Sequence, residues 1–174
     1  MSQKKPDMAE KIYNVLFICT GNSARSIMAE VILNHLGRDR FRAYSAGSHP
    51  RGEVHPLTLQ VLRDKGYAID GLRSKSWEEF ARPDAPRMDF IFTVCHRAAG
   101  EVCPAWPGQP ITAHWGFADP VAVGGDPAQM LKTFVNTQFQ IANRIRTLLS
   151  LPLASIDRLS LQNQLRQMGQ ERSE

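Results

Sequence analysis

Ile12-Tyr13-Asn14-Val15-Leu16-Phe17-Ile18 runs directly into Cys19-Thr20-Gly21-Asn22-Ser23-Ala24-Arg25-Ser26, and behind these come Ile27, Met28, Val31, Ile32 and Leu36. The first segment is apolar almost throughout, which suits a central strand of a parallel sheet covered on both faces. The last residues recur at helical spacing, and Gly37 is placed to end the helix. What lies between is a tight strand-to-helix connection. Such a connection turns several backbone N–H groups inward, and with the helix dipole they hold a tetrahedral oxyanion. Thr20, Gly21, Asn22, Ser23, Ala24, Arg25 and Ser26 are therefore the expected oxyanion-binding residues.

Within that loop, Gly21 is expected to relieve backbone strain, and Arg25 to clamp two oxygens with a permanently charged fork. Asn22 is expected to brace the loop through its own backbone, and Ser26 to donate to the Cys19 sulfur. The same positive field is expected to lower the Cys19 thiol from about 8.5 to between roughly 3.5 and 7.5, leaving a thiolate ready to attack phosphorus or arsenic. A buried strand-end cysteine beside a loop arginine would carry the same spacing. The apolar strand before it, the Gly-Asn inside and the helix behind favour the anion loop. No GxxxxGK[ST] pattern is present, so this is not a nucleotide loop.

The chain of 174 residues suits one compact domain, and its formal charge of +4 favours anionic ligands. That balance is too weak to imply nucleic acid. No run has the length and apolarity of a membrane span. The opening MSQKKPDMAEK is polar and lacks the apolar core of a secretory signal, so a cytoplasmic address is expected. The cysteines are Cys19, Cys95 and Cys103. An odd count in a reducing compartment argues against a disulfide framework. None is spaced as a metal ligand pair, so no metal site is expected.

Beyond the first strand and helix, strands are expected at 41–46, 88–95 and 111–115, and helices at 57–65 and, briefly, 76–80. A long helix should start at Asp126 as cap with Pro127 in its first turn and run towards Ser150. A last helix is expected over 156–168, with Gly169 beyond it. Residues 1–10 read as a flexible tail, 11–150 as the domain and 151–174 as a C-terminal helical extension. Strands alternating with helices indicate an open parallel α/β sheet of four strands. Ligands in such sheets bind outside the carboxyl ends of the strands. Cys19 and Cys95 each end an apolar strand, so inner positions for both strands would put the two thiols on one edge.

Asp119, in His114-Trp115-Gly116-Phe117-Ala118-Asp119-Pro120, could protonate a leaving oxygen from a loop over that edge; a turn aspartate before proline fits equally. Trp115 and Phe117 are expected to pack as a lid, and His114 shares the ambiguity of Asp119. Cys95 and Cys103 are separated by seven residues, which could form a turn whose ends meet after modest rearrangement. A relay in which Cys95 attacks a Cys19–arsenic adduct and Cys103 then moves the disulfide outward fits this spacing. So do two inert thiols.

The stretches VLFICTGNSARSIMAE, YSAGSHP, DFIFTVCHRAAGEVCP and AHWGFADP make the chain similar, over nearly its full length, to arsenate reductases of the low molecular weight tyrosine phosphatase fold. The resemblance implies a four-stranded parallel sheet flanked by helices. It implies Cys19 as nucleophile, Arg25 as oxyanion clamp, Asp119 as acid, and Cys95 and Cys103 as second and third redox cysteines. It also implies no bound cofactor and an external thiol donor, as in the thioredoxin-coupled branch. The chain departs from the pattern in places. Phosphatases of this fold carry a second cysteine where Ala24 stands, and tyrosines after the Asp-Pro where Val121 and Ala122 stand. Thioredoxin-coupled members stabilise their loop with potassium. The matching positions here include Asn22, Glu30 and Ser45, but Trp77 stands near the place of the completing aspartate, so no potassium requirement is expected.

The expected function is reduction of arsenate to arsenite through Cys19, Cys95 and Cys103, recycled by thioredoxin, in a monomer or weak homodimer. Three rivals predict different cysteine requirements. A glutathione/glutaredoxin- or mycothiol-coupled reductase would not need Cys103. A tyrosine or small-molecule phosphatase would need neither later cysteine. A non-catalytic oxyanion sensor would bind without turnover. Phosphate or sulfate should act as analogues of arsenate in each.

Overall fold

The computed structural model describes residues 11–95 and 106–170. The expected tail over 1–10 and Cys103 lie outside these residues. β1 (Tyr13–Cys19) is followed by α1 (Arg25–Leu36), β2 (Phe41–Gly47), α2 (Pro56–Asp64), a 3-10 turn (Trp77–Phe80), β3 (Phe90–Thr93) and β4 (Ile111–His114). Three helices complete the order: α3 (Pro120–Val123), α4 (Pro127–Leu149) and α5 (Arg158–Gln170). The strands form one parallel sheet in the order β2-β1-β3-β4.

β1 is central because its residues have nowhere else to go. Val15, Leu16, Phe17 and Ile18 are wholly removed from solvent, and each such side chain contributes about 1.5–3 kcal/mol of burial. Phe17 stacks on Phe92 of β3, and Phe92 stacks on Trp115 at 3.8 Å between ring centroids. α1 packs on β2 and on α4. α4 begins as the sequence requires: Asp126 and Gln129 form a reciprocal capping box with Pro127 in the first turn.

The register levels the strands at one edge. Cys19 pairs with Gly47, Ile18 with Thr93, and Thr93 with His114. The chain beyond β3 stays alongside β1, because Val94 N–H donates to the Ile18 carbonyl at 2.8 Å. Cys95 is thereby delivered to the same edge as Cys19.

Three expectations are corrected here. β3 pairs over four residues rather than the eight read from its apolar run, since Val94 and Cys95 continue its direction outside the ladder. Gly169 does not follow the last helix but lies within it: a Cβ there would sit 1.8 Å from the His114 carbonyl oxygen, so glycine lets α5 abut β4. Trp115 and Phe117 are core rather than lid, 1% and 3% exposed, and Trp115 Nε1 donates to the Leu165 carbonyl of α5 at 2.9 Å. No helix among the described residues is long and apolar enough to cross a membrane.

Candidate active site

The loop from Cys19 to Arg25 is held from outside by its carbonyls. His49 N–H donates to the Thr20 oxygen at 2.9 Å, Arg51 N–H to that of Gly21 at 3.0 Å and His55 N–H to that of Ser23 at 3.0 Å. Ser74 Oγ adds a bond to Gly21 O, and Thr58 Oγ1 one to Ser23 O. With the carbonyls fixed outward, the N–H groups turn inward. α1 begins at Arg25 with no side chain capping it, which leaves its first amides and the positive end of its dipole to an anion.

The tight turn falls on Asn22, at φ +46°, and not on Gly21. Asparagine tolerates this region better than most residues. Here its side chain fixes the loop across the fold rather than through its own backbone. Asn22 Nδ2 donates to Ser26 Oγ at 2.8 Å and to Ser45 Oγ at 3.0 Å, and Lys75 N–H donates to Asn22 Oδ1 at 2.9 Å. Ser26 thus belongs to the frame of the loop, as the acceptor of the Asn22 amide. Gly47 is the glycine that the site demands: a Cβ there would lie 2.5 Å from the Thr20 carbonyl oxygen and 3.0 Å from Asn22 Cβ.

On the other side, β3 and β4 bring the remaining groups. Arg25 Nη1 donates to the Phe117 carbonyl at 2.9 Å, and Arg25 Nη2 lies 3.6 Å from Asp119 Oδ2. Asp119 caps α3 by accepting from Val121 N–H at 3.0 Å, and more than a third of its side chain is exposed. That short helix was not anticipated from the sequence. Behind the loop 114–119, the Arg144 guanidinium lies over the Trp115 and Phe117 rings at 5.9 and 5.6 Å, so α4 supports the carbonyl that positions Arg25.

Cys95 sits against the anion loop. Thr20 N–H donates to Cys95 Sγ at 3.3 Å, and Thr20 Oγ1 lies 3.6 Å from the same sulfur. Both thiols are buried and free. This arrangement corrects the expected thiolate. The neighbouring Cys95 thiol first, and burial second, push the Cys19 thiol up, outweighing the lowering by Arg25 and by the Gly21 N–H. A Cys95 that leaves the loop, or an anion that displaces it, removes the largest of these causes.

The cavity over this edge measures about 560 Å³ and is lined by Cys19, Arg25, Cys95 and Asp119, with His49 and Arg51 at its rim. His114 lies aside, its Nδ1 2.8 Å from Thr93 Oγ1. His49 and Arg51 were missed in the sequence. The signal was the position of 48–55 directly after β2, on the edge where parallel sheets place their ligands. His55 lies near them, with Nδ1 accepting from Leu57 N–H to cap α2. Burial first, and Arg51 second, push its imidazole down, while Asp119 pulls it up.

Residues 14–163 match the family described as low molecular weight phosphotyrosine protein phosphatase. An arsenate reductase of Halalkalibacterium halodurans is 34% identical over 133 residues, covering 76% of this chain and 92% of that protein. The solved structure of an arsenate reductase in the phosphate binding state superposes with a TM-score of 0.65 at 28% identity, over 79% of this chain and 97% of that one. A thioredoxin-dependent arsenate reductase of Corynebacterium glutamicum superposes with a TM-score of 0.58 at 28% identity; the match covers 82% of this chain but only 62% of that longer one. Family match, relatives and the geometry of the 19–26 loop agree: the chain belongs to the low molecular weight phosphotyrosine protein phosphatase family, on its arsenate reductase branch.

Proposed function

We propose that this protein reduces arsenate to arsenite by passing two electrons from Cys19 and Cys95 to arsenic, and that Cys103 then carries the disulfide to thioredoxin. Arsenate binds to the inward amides of 20–25 and the Arg25 fork. As it enters, it takes the Thr20 N–H from Cys95 and frees Cys19 to ionise beside Arg25. The Cys19 thiolate attacks arsenic, an As–O bond breaks, and Asp119 gives a proton to the departing oxygen, which leaves as water. Cys95, deprotonated, attacks Cys19 Sγ. The S–As bond breaks with its electron pair going to arsenic, which becomes As(III), and a Cys19–Cys95 disulfide remains. Cys103 attacks Cys95, releases the Cys19 thiolate and leaves a Cys95–Cys103 disulfide for an external dithiol.

The observation that carries this reading is the second thiol at the loop: Cys95 accepts from Thr20 N–H and lines the same cavity as Cys19. A phosphatase needs no such group, and the residues after Asp119-Pro120 are Val121 and Ala122, which offer an aryl phosphate no ring to stack on.

The test is steady-state arsenite production by wild type and Cys103→Ser, supplied in parallel with thioredoxin/thioredoxin reductase and with glutathione/glutaredoxin. Turnover on thioredoxin that is lost in the variant supports the relay. Turnover on glutathione/glutaredoxin alone, unchanged in the variant, assigns the protein to the two-component mechanism. Phosphate-ester hydrolysis with no arsenite formed makes it a phosphatase.

A further inference from the structure

We infer that the Lys75 ammonium is a built-in cation that holds the oxyanion loop in shape, in the place where an inorganic cation would otherwise be needed. Lys75 lies in the segment between α2 and the 3-10 turn, and it is 8% exposed. Its Nζ donates to the Arg73 carbonyl at 2.9 Å and to Ser45 Oγ at 3.4 Å, and it stands 3.7 Å from Glu30 Oε1. Glu30 comes from α1 and Ser45 from β2, so the ammonium joins three separate pieces of chain behind the loop.

The hydrogen-bond inventory fixes the direction of every proton. An ammonium and an amide N–H₂ can only donate. Ser45 Oγ receives from both Asn22 Nδ2 and Lys75 Nζ, which fills its two lone pairs. Its single proton must then go to Glu30 Oε1. Glu30 Oε1 thus receives the hydroxyl and faces the Lys75 ammonium at 3.7 Å. Asn22 is thereby oriented, with Oδ1 left for the Lys75 backbone N–H, and Asn22 carries the left-handed turn of the loop. Residue 75 thus acts twice, through its amide on Asn22 and through its side chain on Ser45 and Glu30.

No other cation among the described residues has this role. Arg73 is near, but its guanidinium makes a two-point pair with Glu79 at 2.9 and 2.6 Å. Burial pushes the Lys75 ammonium down, and Glu30 opposes that effect. Removing the lysine charge leaves Glu30 with only 18% of its side chain exposed and its positive partner gone, a costly state unless a proton or a cation arrives. Potassium does not fit the set as it stands. A cation beside Ser45 Oγ and Glu30 would meet the ammonium. Lys75→Met should reopen the place for it.

The inference rests on the loop being an oxyanion site, as proposed above, but its test reads folding and anion binding without arsenate turnover. Thermal unfolding and inorganic phosphate affinity are measured in potassium and in sodium chloride at equal ionic strength, for wild type, Lys75→Met and Lys75→Met/Glu30→Gln. Wild type should be indifferent to the choice of salt. Lys75→Met should bind phosphate on the order of tenfold more weakly in sodium. Potassium should restore that affinity and raise its melting temperature by about 2–4 °C. The double variant, with the charge removed from both sides, should melt above Lys75→Met in sodium and lose the potassium response. A wild type that potassium stabilises would overturn the inference. So would a Lys75→Met protein that folds and binds phosphate normally in sodium, or a double variant that still responds to potassium. Arsenate turnover of wild type, whatever its outcome, leaves this reading standing or falling by itself.

Discussion

The two flanks of Cys19 are built differently. Towards β2, the Thr20, Gly21 and Ser23 carbonyls accept from residues 49, 51, 55, 58 and 74, and Asn22 is held at three points by Ser26, Ser45 and Lys75. Towards β3 and β4 stand the groups that would move protons and electrons. Asp119 is tied by one backbone N–H and a 3.6 Å ion pair, and Cys95 by the same Thr20 N–H that an oxyanion would claim. One flank binds and must not move, because misplacing a ligand by about 1 Å can cost about 100-fold. The other, in the reaction proposed above, exchanges partners during each cycle.

This contrast sets the order of effects. Removing Cys95 should be the most severe change: Cys95→Ser is expected to bring multiple-turnover arsenite production to background while leaving phosphate binding intact, as read by competition. Loss of phosphate affinity in parallel would mean that the two flanks are one unit. Next, Asp119→Asn is expected to lower kcat by about 10²–10⁴-fold, with phosphate affinity nearly unchanged. On the binding flank, Gly47→Ala forces a Cβ towards the Thr20 carbonyl and should destabilise the fold by about 1–3 kcal/mol, seen in thermal unfolding, and weaken phosphate binding as well. Gly169→Ala makes a useful contrast, since it should cost similar stability by pushing α5 off β4 while phosphate affinity persists in the folded protein.

A smaller effect probes the sulfur pair itself. The Cys95 thiol is the largest cause raising the Cys19 thiol, so Cys95→Ala should increase the thiolate fraction at neutral pH. Alkylation of Cys19 by iodoacetamide, followed by peptide mass spectrometry, is then expected to be faster in the variant, and the gap should close as pH rises and the wild-type thiol ionises. Slower alkylation in Cys95→Ala would show that Cys95 activates rather than restrains Cys19.

Much of this was legible before any coordinates. β1 and α1 follow from an apolar run and a helical period that nothing else in the chain competes with, and the anion loop lies between them. The α4 start was equally plain, since Asp126, Pro127 and Gln129 are local signals with local consequences. What could not be read is what depends on neighbours far along the chain. Gly169 resembles a helix stop until β4 is brought beneath it. Gly21 resembles the strained residue of the loop, yet the left-handed turn falls on Asn22 because Ser26, Ser45 and residue 75 together hold its side chain. Lys75 and Arg51 are ordinary surface-type residues by sequence, and only the fold buries one behind the loop and lays the other over Gly21. The direction of the Cys19 thiol was missed for a related reason: the field from Arg25 and two thiols on one edge can be inferred from the sequence, but not that Cys95 and burial together outweigh that field.

The central claim is that Cys19 and Cys95 act as one two-electron site, and a single-turnover experiment tests it most directly. Reduced Cys103→Ser protein is mixed with one equivalent of arsenate and quenched in acid with an alkylating agent; arsenite is then quantified and the cysteines are mapped by mass spectrometry. The account predicts arsenite in proportion to protein together with a Cys19–Cys95 disulfide. Arsenite formed while both Cys19 and Cys95 remain alkylatable, or no arsenite despite bound arsenate, would contradict it.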